Sequence, residues 1–194
     1  MTAPSVADTR HPPAPRGSRH VQPHGALATA RHYVRELMYG SNDGLITTFA
    51  VVAGVSGGGL ALSVVLVVGV ANLIADGLSM AVGNYLSIRA HESVLEASRL
   101  PQEEAFPARH SAVTFVAFVV AGAVPLLPYA LPLTTRPFRL SVALTLGMLF
   151  VVGASRAFVA PVRWWHGGLE MLGLGTAAAV AAYLSGVFVA RLVG

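Results

Sequence analysis

The sequence predicts an all-α integral membrane protein, one bundle of five transmembrane helices. Three observations carry that prediction. Of 194 residues, 54% are hydrophobic and only 11% are charged, too little charge for a soluble domain of this size. Apolar stretches recur along the chain, and about 20 such residues cover the roughly 30 Å hydrocarbon core of a bilayer as a helix. The breaks between them are glycine runs, prolines or short arginine-bearing links.

Residues 1–30 are rich in Pro, Ala, Arg and His and hold no apolar run. They read as a disordered tail rather than a cleaved leader, which would need a hydrophobic stretch of about 7–15 residues. The tail carries His11, His20 and His24, with His32 just beyond; without ligand spacing they read as histidines scattered through a solvated segment, set against a metal-gathering tail. Residues 31–194 form the membrane domain. RHYVRELMYGS, residues 31–41, reads as a short amphipathic lead-in at the membrane surface. The first span follows, from about Gly44 to Leu62, with Asn42-Asp43-Gly44 at its start and Gly57-Gly58-Gly59 breaking it near its end. The second span covers about Leu60 to Ile88.

The stretch 89–110 is the only substantial polar link. Glu92 and Glu96 lie four apart on one prospective helix face, Glu103 and Glu104 follow, and His91 and His110 flank them. Such a carboxylate cluster is a candidate for capturing a metal cation, set against the commoner solvated loop. The third span, about Ser111 to Leu133, contains Pro125, Pro128 and Pro132, so it is expected to kink towards its far end. The fourth runs from about Phe138 to Val159, and PVRWWHG after it fits the interfacial aromatic belt. The fifth, about Gly168 to Val193, holds Ala178, Ala182 and Gly186, a spacing that lets helix backbones approach closely.

Arginine placement predicts orientation. With five spans, ten arginines fall on the side of the N-terminal tail and three (Arg136, Arg139, Arg191) on the other. This places the N-terminus in the cytoplasm. All 13 basic residues are arginine and none sits in an aromatic-interleaved patch, so the net charge of +4 reflects topology and not a nucleic-acid partner. Exclusive arginine usage points to a GC-rich bacterial genome and hence a plasma membrane. There is no cysteine, no nucleotide loop and no Ser/His/acid constellation, so an enzyme is not expected and no cofactor is implied.

Function is expected within the second span. Asn72, Asp76, Met80 and Asn84 follow one another at four-residue intervals. Each step turns a helix by about 400°, so the four side chains share a slowly drifting stripe. An acid at bilayer depth costs about 2.5–3.5 kcal/mol on insertion scales, and such groups usually face a bundle interior or an ion path. The other polar residues expected in the membrane are Asn42, Asp43, Arg156 and Glu170. Carboxylate and amide oxygens suit divalent cations, while the Met80 thioether tilts a site with Asp43 and Asp76 away from Mg²⁺ and Ca²⁺ towards Fe²⁺ or Mn²⁺. An arriving divalent cation favours the ionised carboxylate, so metal binding expels protons. The competing account is that these groups only bond helices together, at about 0.6 kcal/mol each.

Several motifs resemble the vacuolar iron transporter family. They are Asp43-Gly44-Leu45-Ile46-Thr47-Thr48-Phe49, Val52-Ala53-Gly54-Val55, Ala71 to Ala81 with Asp76 and Met80, and Asn84-Tyr85-Leu86-Ser87. Pro125-Leu126-Leu127-Pro128 and Ala182-Tyr183-Leu184-Ser185-Gly186 fit the same pattern, and the resemblance covers about residues 31–193. It implies five transmembrane helices per subunit, a homodimer, and a pathway along the dimer interface lined by the first two helices. It also implies export of Fe²⁺, and often Mn²⁺, from the cytoplasm against protons, with Asp43 and Met80 in the path. Plant-type members tend to carry a glutamate where this chain has Asn72, and Asp76 one turn on supplies a charge on the same face. They also carry a cytoplasmic metal-gathering domain where this chain has only the link 89–110. Two other readings stay open: a non-transporting membrane scaffold, and a transporter of another cation or a small solute.

Overall fold

A computed structural model describes residues 25–131, 135–158 and 163–193. Residues 1–24 of the predicted tail lie outside the described residues, as does Pro132. The chain is nearly all helix, with no β-strand among the described residues. A short helix α1 (Ala26–His32) begins inside what the sequence assigns to the tail and leads into α2 (Val34–Gly57). Then come α3 (Leu62–Ala97), α4 (Pro107–Ala123), a 3₁₀ turn (Val124–Leu126) and α5 (Leu127–Ala130). The last two long helices are α6 (Pro137–Ser155), which ends in a 3₁₀ turn (Arg156–Phe158), and α7 (Trp164–Val193).

Four segments are long and apolar enough to cross a membrane: Leu62–Ala97, Pro107–Ala130, Pro137–Phe158 and Trp164–Val193. The chain is therefore an all-α, multi-pass membrane protein. Helix α2 is the central member, packed against α3, α4, α6 and α7. Its 24 residues extend about 36 Å at 1.5 Å per residue. Phe49 and Val52 of α2 join Val65, Leu73, Phe118 and Leu126 in one buried cluster, while Leu45 joins Ala121, Leu149, Val152 and Met171 in another.

Glycines set how closely α2 approaches its neighbours. A Cβ on Gly44 would strike the Phe118 carbonyl of α4, and one on Gly40 would meet the Thr114 carbonyl at 2.6 Å. At the other end, Gly57 lies against the Tyr183 backbone and Gly54 against Gly186 of α7. The small-residue spacing in the last span thus serves a contact inside the subunit.

Two helices run past the span limits that the sequence suggests. The lead-in 31–41 and the first span are one continuous helix from Val34, so Asn42 and Asp43 sit in mid-helix rather than at its start. The reason is packing: Glu36, Gly40 and Gly44, each four residues from the next, form one buried face, and this overrides the polar appearance of the segment. Helix α3 also runs nine residues beyond Ile88 to Ala97 and carries Glu92 and Glu96 on its last turns. The glycine break holds, with Gly59 at φ 67°, where L side chains are strained. Towards the far end, where the prolines lead to the expectation of a kink or unwinding, α4 gives way after Ala123 to the 3₁₀ turn holding Pro125. Trp164 and Trp165 form the first turn of α7.

Candidate functional site

The α3 stripe faces two environments. Asn72, Asp76, Met80 and Asn84 are all half-buried, between a face packed on the bundle and an open face that includes Ala71, Ala75, Ser79 and Gly83. Asn72 Nδ2 donates a 2.8 Å hydrogen bond to Asp76 Oδ2 one turn on. That bond fixes one carboxylate oxygen of Asp76. Met80 packs against the cluster around Phe118. Asn84 Nδ2 donates to Thr114 Oγ1 of α4 at 2.9 Å, tying the lower end of the stripe to the bundle.

Asp43 approaches this stripe from α2. It is half-buried and lies within coulombic range of Asp76. The two acids on neighbouring helices therefore share one region. Beside it the Asn42 Oδ1 atom is buried with no hydrogen-bond partner among the described residues. Arg156 and Glu170, also expected in the membrane, pair with each other at 2.8 Å on the exposed side of α6 and α7. They take no part in the stripe.

The link acids separate into different roles. Glu92 Oε1 accepts the backbone N–H groups of Glu103 at 3.0 Å and Glu104 at 2.7 Å, so it fastens the link onto α3. Glu103 Oε2 lies 3.2 Å from His91 Nε2, and Glu96 is exposed on α3. Glu104 turns inward, its Oε2 2.9 Å from His110 Nε2 at the start of α4. On the other side of the imidazole Glu36 Oε1 stands 3.3 Å from His110 Nδ1. Glu36 also accepts hydrogen bonds from Arg35 at 3.0 and 2.8 Å. The side chains of Glu36 and His110 are each only 2% exposed. A pocket of about 340 Å³, lined by Asn84, Ser87, His91, Glu103 and Glu104 among others, lies between this cluster and the stripe.

Sequence reasoning missed Glu36 altogether. The available signal was its spacing, seven residues before Asp43, which is two helical turns on the same face.

A family model described as the VIT family matches residues 34–107 and 99–187. The chain belongs to the VIT family. Within that family it is 26% identical over 213 residues to vacuolar iron transporter 1 of Eucalyptus grandis, covering 80% of this chain and 86% of that protein. It is 27% identical to vacuolar iron transporter 1 of Arabidopsis thaliana, covering 80% and 85%. A vacuolar iron transporter of Toxoplasma gondii is 43% identical over 75 residues, covering 39% of this chain and 25% of that protein. The plant alignments are longer than this chain itself, so those VIT proteins carry stretches that it lacks.

Proposed function

We propose that this chain is a proton-coupled transporter that moves Fe²⁺ or Mn²⁺ out of the cytoplasm. The observation that carries the reading is that Asp43 on α2 and Asp76 on the neighbouring α3 are close enough for their charges to interact, with Met80 one turn from Asp76 in the sequence. Two carboxylates and a thioether make a mixed donor set suited to a borderline divalent ion. Membership of a family whose plant relatives are named vacuolar iron transporters supports the same cargo. Metal binding at two adjacent acids displaces protons, and protons returning from the far side displace the metal.

In this reading α2 is a fifth span, because it is long enough and is enclosed by the four apolar segments. The half-buried stripe on α3 is covered by a second copy, so that the pathway runs along a homodimer interface; lipid against Asp76 would be far costlier. The tail side is cytoplasmic by the arginine asymmetry, and the membrane is a bacterial plasma membrane. The test is flux: purified protein in liposomes, with Fe²⁺ or Mn²⁺ outside and an imposed proton gradient. Metal uptake that vanishes when the gradient is collapsed supports the reading.

A second reading rests on the Asn72–Asp76 and Asn84–Thr114 bonds, which would suit a scaffold held together by polar contacts. It requires that no gradient-driven metal flux exist in the wild type.

A further inference from the structure

We propose that His32, Glu104 and His110 form a second divalent-metal site at the end of the bundle where the 89–110 link folds over α2 and α4. One ligand atom from each of the three lies within 4.8 Å of the other two. Two imidazoles and one carboxylate form a donor set suited to Fe²⁺, Mn²⁺, Co²⁺ or Zn²⁺, whereas Mg²⁺ and Ca²⁺ prefer oxygen alone. Ligand atoms around a tetrahedral ion at about 2.1 Å stand roughly 3.4 Å apart, so closing on the ion asks for side-chain shifts of about 1 Å.

The second observation is the state of His110. Its side chain is almost fully enclosed, yet neither ring nitrogen has an aligned hydrogen-bond partner among the described residues. A metal ion shared by Nε2 and the Glu104 carboxylate, 2.9 Å apart, would give that nitrogen a directed bond, and Glu36 beside Nδ1 is placed to hold the ring in the ligating tautomer, as carboxylates behind metal-bound histidines do. A cluster of tilted rings helps to seat the site: His32 and Tyr33 both lie against His110, with centroids 5.1 and 4.8 Å away.

The pocket that reaches from Glu104 to Asn84 connects this site with the lower end of the α3 stripe. On the transport reading above, the site serves as a loading point towards Asn84, the stripe residue that lines the pocket. Its existence rests on other residues than theirs and is separable from transport.

The experiment is titration of the full-length protein in detergent with Co²⁺, read by its visible absorption and by nitrogen hyperfine coupling. The expected result is one nitrogen-ligated Co²⁺ per chain, retained in the triple variant His11→Asn, His20→Asn, His24→Asn and in Asp43→Asn with Asp76→Asn. Glu104→Gln and His32→Asn should each weaken it at least tenfold, His110→Gln should abolish it, and Mg²⁺ in excess should not compete. His110 is buried, so the decision rests on the partly exposed Glu104 and on the wild-type spectrum, which do not depend on a core substitution folding. Oxygen-only ligation in the wild type, or unchanged affinity in Glu104→Gln and His32→Asn, would overturn the proposal. Loss of flux in the aspartate pair with Co²⁺ binding intact would leave it standing.

Discussion

Asn72 holds Asp76 by a 2.8 Å, half-buried hydrogen bond along α3. The amide engages one carboxylate oxygen, Oδ2. Hydrogen bonds to charged groups contribute about 1.5–3 kcal/mol, and each 1.4 kcal/mol is about tenfold in an equilibrium constant. Asn72→Ala is therefore expected to raise the metal concentration for half-maximal flux about tenfold while leaving maximal flux within reach. Initial rates across a metal series in liposomes check this, and an unchanged half-saturation point counts against the role given to Asn72.

Met80 separates a sulfur ligand from a mere space-filler. Leucine has nearly the same volume, and such exchanges in packed regions usually cost less than about 1.5 kcal/mol. Met80→Leu should keep the unfolding temperature close to wild type but lose preference for Fe²⁺ over Mg²⁺ in competition flux. Retained preference would assign Met80 to packing against the Phe118 cluster alone.

The α2–α4 contact predicts a stability contrast between glycines. A methyl on Gly44 would collide with the Phe118 carbonyl, which is backbone and cannot swing aside, whereas a methyl on Gly147 of α6 would meet nothing within 4 Å. Gly44→Ala should destabilise by about 1–3 kcal/mol, the usual cost of overpacking. Gly147→Ala should be neutral or stabilise by up to about 1 kcal/mol. Thermal unfolding of the two variants in the same detergent gives the comparison, and equal midpoints would contradict the packing described.

Asn84 distinguishes pathway from glue. Its bond to Thr114 has the form of an interhelical hydrogen bond in a membrane, worth about 0.6 kcal/mol on average. Asn84→Leu should therefore shift stability by about that amount yet slow metal flux markedly, because the amide also lines the pocket below the stripe. A fall in stability with flux unchanged would favour the scaffold reading.

The apolar helices were legible because long runs between glycine and proline breaks leave little other choice, as Gly57-Gly58-Gly59 and Pro125 show. The stripe was legible too, since four-residue spacing within α3 is a local property. The start of α2 was not. Arg35, Glu36 and Asp43 make that segment look polar, and only the fit of Gly40 and Gly44 against α4 explains its burial. The Glu36–His110–Glu104 cluster was equally hidden, because residues 36, 104 and 110 meet through tertiary packing that no sequence period reports. Of four link acids read as equivalent, one proved a tether for the link backbone and one an inward ligand candidate.

The most direct test of the account is Fe²⁺ flux into liposomes under an imposed proton gradient for wild type, Asp43→Ala, Asp76→Ala and Met80→Ala. The account predicts gradient-dependent uptake in the wild type and its loss in all three variants, each still eluting as the folded wild-type assembly. Uptake at the wild-type rate in all three would contradict it.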